Sequence, residues 1–283
     1  INPTDLKKKE AELYTGRDAL LYIPRPGHGF SEKGSQGASY FTSENPPFGA
    51  VFNYYLAENY QMLKKSRQEI EKKLVKENKN IEFPGWQEVE AERRQEDPII
   101  WLTVKDDDGK VVRKIEGKNK KGFNRVAWDL RYPSFRTINL QRDLPKEERS
   151  GFMVLPGTYT VTLSKQIDGV VTDLTGPKSF SVKRLYDGAL KRADDELQIA
   201  FTNEVTNLQK SLTAAELKLS NASKKVNALQ AAAIKISSDN SDVVAKIYNV
   251  KKKLFGLDEI MYGNRSKNEV GEKNNPTIMD RFY

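Results

Sequence analysis

The sequence predicts an α+β protein of more than one module: an antiparallel β-sandwich carrying a helical insertion, followed by an antiparallel helical hairpin. Three observations carry this expectation. Residues 99–182 hold several short runs of alternating apolar and polar residues, joined by turn signals and without crossover helices. Asp-Gly pairs at 108–109 and 168–169 supply the positive φ that tight hairpins need. Near the C-terminus, apolar or small residues recur at alternating spacings of three and four. They run through Phe201, Val205, Leu208, Leu212, Ala215, Leu219, Ala222, Val226, Leu229, Ala233 and Ile236, and resume from Val243 to Met261.

Taken in order, Thr4 to Leu13 reads as a short helix and Asp18 to Ile23 as a strand. Residues 24–43, punctuated by Pro24, Pro26, Gly27, Gly29, Gly34 and Gly37, read as a loop that must lie on another surface or stay mobile. Pro46-Pro47 fixes an extended approach to Ala50–Leu56, a β-branched and aromatic strand. The insertion spans 59–97. It opens with a charged helix over 61–78, with Leu63, Ile70 and Leu74 on one narrow stripe. A shorter helix follows Phe83-Pro84-Gly85-Trp86 and ends at Pro98. Strands are expected at Ile99–Lys105, Lys110–Ile115, Gly122–Leu130, Thr158–Lys165, Val170–Leu174 and Ser179–Val182, with a long polar insertion over 131–151. The helical pair occupies 187–262, turning at Ser237–Ser241, and 263–283 reads as a polar, extended tail.

Composition narrows the function classes. The chain has 283 residues, room for one large or two ordinary domains, and its 37% hydrophobic content with a mean hydropathy of −0.68 is lean. No run approaches the roughly 20 apolar residues that span a bilayer, so no membrane span is expected. The first residue is Ile and no signal peptide is visible, which reads as a processed product or a piece of something longer. Cysteine is absent, which excludes disulfides, thiolate metal sites and cysteine nucleophiles. The net charge of +8 suits an anionic partner in principle, but the lysines are spread widely and sit beside glutamates, as in residues 69–73. Solvated helix faces account for them, and no nucleic-acid partner is expected.

Three stretches together resemble a known family. Glu44 to Ala50 leads into the first strand, and Leu102–Asp106 with Asp108–Arg113 forms a hairpin. Gly122-Phe123-Asn124-Arg125-Val126-Ala127-Trp128-Asp129-Leu130 precedes Leu155-Pro156-Gly157-Thr158-Tyr159. The last pair resembles the immunoglobulin-like module of flagellar hook-capping proteins, with proline and glycine adjacent here where the module separates them. From Asp18 onward, the chain looks like the C-terminal part of exported bacterial proteins with a sortilin-like, BNR-repeat β-propeller, often labelled glycosyl hydrolases. That likeness includes Phe83-Pro84-Gly85-Trp86, Glu90-Ala91-Glu92, the helical tail and Asn275 to Arg281. It implies an immunoglobulin-like sandwich over 46–186, residues 1–45 as the end of a propeller and its linker, and an extracytoplasmic location in the periplasm, outer membrane or cell surface. The propeller repeats themselves are missing, so no activity residing in them carries over.

Trp101, Trp128 and Tyr159 are expected in the structural core, with Trp86 anchoring the insertion onto the sandwich. Sugar binding by an exposed Trp is the sharper alternative. Asp129 is expected to bond nearby backbone or Arg131. Asp106-Asp107-Asp108-Gly109 lacks the alternating spacing of an EF-type loop and reads as a solvated hairpin tip. His28 is the only histidine, which leaves no multi-histidine metal site within the chain. No catalytic, cofactor-binding or metal-binding residue is assigned, and no cofactor is expected. The heptad stripe reads either as an intramolecular seam or as a docking surface, with Leu208, Leu212, Leu219, Val226 and Leu229 as the partner-binding residues.

The functional expectation is a non-catalytic accessory region. It braces its own propeller domain and docks another envelope or outer-membrane protein. Two rivals stand beside it: part of a glycoside hydrolase whose active site lies in the missing propeller, and a carbohydrate-binding sandwich with an exposed aromatic.

Overall fold

A computed structural model describes residues 6, 8–24, 43, 45–134, 138, 150–186, 195–236 and 241–282. The protein is mixed, with antiparallel sheets and a helical C-terminal part. It divides into two compact units, one of Ile1–Ser134 with Glu148–Asp195 and one of Phe135–Glu147 with Glu196–Tyr283. His28, most of the 24–43 loop, most of the 131–151 insertion and the 237–240 turn lie outside the described residues.

In the first unit the strands are β1 (Ala11–Thr15), β2 (Ala19–Leu21), β3 (Ala50–Leu56), β4 (Ile99–Lys105), β5 (Val111–Gly117) and β6 (Gly122–Trp128). They continue with β7 (Arg131–Pro133), β8 (Ser150–Met153), β9 (Gly157–Ile167) and β10 (Val170–Arg184). One sheet runs β1-β3-β6, a second runs β2-β10-β9-β4-β5, and β7 pairs with β8. All pairs are antiparallel except β2 beside β10.

Alternation along the strands decides which side chains meet. Phe52, Tyr54 and Leu56 on β3, Ile100, Leu102 and Val104 on β4, and Tyr159, Val161 and Leu163 on β9 are buried in one apolar cluster. Phe52 and Phe180 meet edge to face at 5.1 Å, and Trp128 meets Tyr159 at 5.6 Å. The Trp128 indole N–H donates to the Arg131 carbonyl at 3.0 Å, and the Tyr159 hydroxyl to the Leu155 carbonyl at 2.8 Å. Both large side chains therefore bury their apolar bodies with their polar ends satisfied.

Trp101 corrects the sequence reading. The same alternation that turns Ile100, Leu102 and Val104 inward turns Trp101 to the other face of β4. There it is only half-buried and donates to the Gln166 side chain on β9 at 2.8 Å. It is a cross-strand pair, not a core residue.

The N-terminal segment is a second correction. Ala11–Thr15 is a strand paired along its whole length with β3, and Leu13 is buried. A helix over Thr4–Leu13 cannot coexist with that pairing. β2 likewise joins the second sheet, so residues 11–21 belong to the β unit rather than to a separate preceding segment ending at 45. Glu10 extends the tie, accepting from the Tyr60 hydroxyl at 2.8 Å and from Lys165 at 2.5 Å. The Lys165 bond, then the Tyr60 bond, hold its carboxyl below the usual range.

The turns follow the sequence. Asp168 and Gly169 both adopt positive φ between β9 and β10, and Gly109 does so between β4 and β5. The expected strands at 170–174 and 179–182 are one continuous β10. Register shifts around Thr175, just before Gly176-Pro177, explain the break in alternation.

The insertion holds α1 (Leu63–Lys76) and α2 (Trp86–Arg94). Arg67 clamps them with a two-pronged bond to the buried Glu92 carboxylate at 2.7 and 2.8 Å, and also bonds Glu71. Those bonds from Arg67 hold the Glu92 carboxyl below its ordinary value.

The second unit holds α3 (Asp195–Ala233), α4 (Ser241–Tyr262), α5 (Arg265–Glu269) and α6 (Ile278–Phe282). α3 is unbroken for 39 residues. Residues 263–282 hold two short helices and are not an extended tail. Gly263 closes α4 in a left-handed conformation, and Thr277 and Asp280 cap α6 reciprocally, each side chain accepting from the other's backbone N–H. These caps satisfy helix ends that a polar composition alone does not reveal.

Candidate functional site

The helical ladder, read in heptads, separates into two columns. Leu212, Leu219, Val226 and Ala233 on α3, with Ile247, Leu254 and Met261 on α4, occupy one column at seven-residue spacing. Val226, Ala233 and Met261 are buried and the other four are half-buried. Leu208 and Leu229 on α3 and Ile236 just beyond its end, with Val243, Val250 and Leu257 on α4, occupy the other. All six are exposed, Leu229 at 57% and Leu257 at 52%.

Two side-chain bonds join the helices on the buried-column side. Lys251 donates to Gln230 at 3.0 Å, and the Tyr262 hydroxyl donates to Glu216 at 2.6 Å. Burial first, then the bond to Glu216, raises the Tyr262 hydroxyl well above its ordinary value, so it stays a donor throughout the neutral range. At the far end of α4, Arg265 forks onto Asp258 at 2.6 and 2.8 Å and holds that carboxyl low.

The five partner-binding residues are therefore not equivalent. Leu208 and Leu229 are free to meet another surface. Val226 is buried within the chain, and Leu212 and Leu219 are half-buried in the same column. Sequence periodicity marks both columns as apolar, and cannot say which one is buried.

The second candidate surface lies on the insertion. Trp86 does not anchor it to the sheets: the indole is 78% exposed and packs edge to face on Phe83 at 5.0 Å. Nearby, α1 and α2 enclose an open groove of about 670 Å³ lined by Leu63, Ile70, Leu74, Ile81 and Ala91. Arg93 and then Arg94 bond Glu90 on the same helix and push its carboxyl down to about 2.

Asp129 accepts from the Arg131 backbone N–H at 3.2 Å and so orders the turn after the buried Trp128. Asp106 does the same work at the β4–β5 tip, accepting from the Lys110 N–H at 2.8 Å. Among the described residues, no three carboxylates or histidines gather as metal ligands, and no helix is long and apolar enough to cross a membrane. Comparison with models of known protein families, with curated proteins and with solved structures finds no match to the chain.

Proposed function

We propose that this chain is an accessory and interaction region, without catalytic duty, of an exported bacterial protein bearing a sortilin-like propeller. It braces that propeller and docks a second envelope or outer-membrane protein. In this reading the strands form an immunoglobulin-like sandwich and α3 and α4 an antiparallel helical hairpin. The buried Trp128 against Tyr159 supports the sandwich, as does the Tyr159 hydroxyl bonded four residues upstream, the form of a tyrosine corner. The Lys251–Gln230 and Tyr262–Glu216 bonds support the hairpin, since the bonded positions rise along one helix as they fall along the other.

The observation that carries the docking role is the exposed apolar column. Contiguous exposed apolar side chains on a helix pair mark an interaction surface more often than chance decoration. The test is co-purification from the native envelope with Leu208→Asp and Leu229→Asp. Both substitutions are expected to remove a defined envelope partner that wild type retains. Retention of the same partner at wild-type yield by both would overturn this docking surface.

The exposed Trp86–Phe83 pair favours a second reading, carbohydrate binding at the insertion. Titration of tryptophan fluorescence with envelope oligosaccharides checks it. A saturable change lost in Trp86→Ala is expected, and a response that persists in that variant sinks it.

A further inference from the structure

We infer that the uncovered face of the α3–α4 pair is a groove for one amphipathic helix with acidic flanks, supplied by another protein. This rests on the antiparallel hairpin reading and names the partner's chemistry.

The register sets the argument. Lys251 beside Gln230 and Tyr262 beside Glu216 place Leu229 across from Val250, Ile236 across from Val243, and Ala222 across from Leu257. In an antiparallel helix pair, equivalent heptad positions of both helices lie on the same side of the seam. The two exposed columns therefore line one face together, opposite the face that carries the Lys251–Gln230 bond. Leu229, Ile236, Val243, Val250 and Leu257 form its floor. From Ala222 to the end of α3 at Ala233 the floor runs about 16 Å, the length of a three-turn helix. Ala222 at one end leaves room for close approach.

Charge chooses the occupant. The positions that flank the exposed columns on this side carry Lys218 and Lys225 on α3 and Lys246 and Lys253 on α4, all exposed. The opposite side carries a mixed set, Glu216, Gln230, Lys251 and Asp258. Basic flanks on an apolar floor complement a helix with Leu or Ile on its seam and Glu or Asp beside it. A second copy of this chain would set lysines against lysines. An anionic membrane would favour aromatic residues beside the lysines, but Tyr248 and Phe255 stand at helical positions away from this face.

The test uses the full chain and two labelled helical peptides of 18 residues. Both carry Leu on the seam, flanked by Glu in one and by Lys in the other. Fluorescence anisotropy should show the Glu peptide binding at least ten-fold tighter than the Lys peptide, weakening as salt rises. The pair Lys225→Glu with Lys253→Glu should invert that preference. Val250→Asp should abolish binding while circular dichroism shows wild-type helicity. Equal affinity for the two peptides, no binding of the Glu peptide, or dimerisation that Val250→Asp abolishes would each overturn the inference. So would sedimentation with anionic vesicles that excess Glu peptide does not reverse. Failure here with Leu229-dependent capture of an envelope partner intact would remove the acidic helix alone. Peptide binding without any envelope partner would remove the propeller-accessory reading and leave the groove.

Discussion

At the residue scale, the best-determined position is Gly49. Its φ is +103°, and a Cβ there would lie 1.8 Å from the Trp128 carbonyl oxygen, across the β3–β6 pair. No side chain fits without parting the strands that hold the core indole. Leu130 shows the opposite balance. It holds a positive φ of 57° at a cost of about 1–2 kcal/mol, yet its side chain is fully buried, a gain of about 1.5–3 kcal/mol. Gly49→Ala is expected to lower the stability of the β unit by about 2–4 kcal/mol, since strain and a backbone clash act together. Urea titration followed by tryptophan fluorescence measures it. A midpoint equal to that of wild type would show that the strands part without penalty there. The sequence shows Gly49 after Pro-Pro-Phe, which signals a turn. It does not show that the Trp128 carbonyl is what forbids a side chain.

At the scale of elements, legibility followed the range of the interactions. Ile99–Lys105 was readable to the residue, because alternation and a nearby Asp-Gly turn are local signals. The insertion helices were readable from Leu63, Ile70 and Leu74 and from Pro98. Ala11–Thr15 was not, because Lys7-Lys8-Lys9-Glu10 ahead of it has helical character and only pairing with β3, some forty residues on, makes it a strand. Trp101 failed for a related reason. The period of two shows that neighbours face opposite ways, but which face is buried depends on the sheet opposite. Trp86 failed because an aromatic beside Pro-Gly is equally at home packed or exposed. On α3 and α4 the ladder itself was plain. Which column is buried and which is exposed is not fixed by the period and shows only in the folded chain.

At the scale of the whole molecule, the two units rest on different interactions, and that separation is testable. The β unit depends on a cluster closed by Trp128, Tyr159 and Phe180, assembled from strands distant in sequence. The helical unit depends on a narrow column in which Val226, Ala233 and Met261 are buried. Trp128→Ala removes a fully buried indole, which costs about 3–5 kcal/mol. Val226→Asp places a carboxylate where the helical column is closed, and a buried unpaired charge is comparably costly. If the units fold independently, Trp128→Ala shifts the near-ultraviolet transition and leaves helical melting unchanged. Val226→Asp then does the reverse. Leu208→Asp, in the exposed column, should shift neither. Calorimetry with circular dichroism at 222 nm separates the cases. A single transition moved equally by Trp128→Ala and Val226→Asp would mean that the sheets and the helices form one cooperative unit. Any partner on the helical face would then be felt in the strands as well.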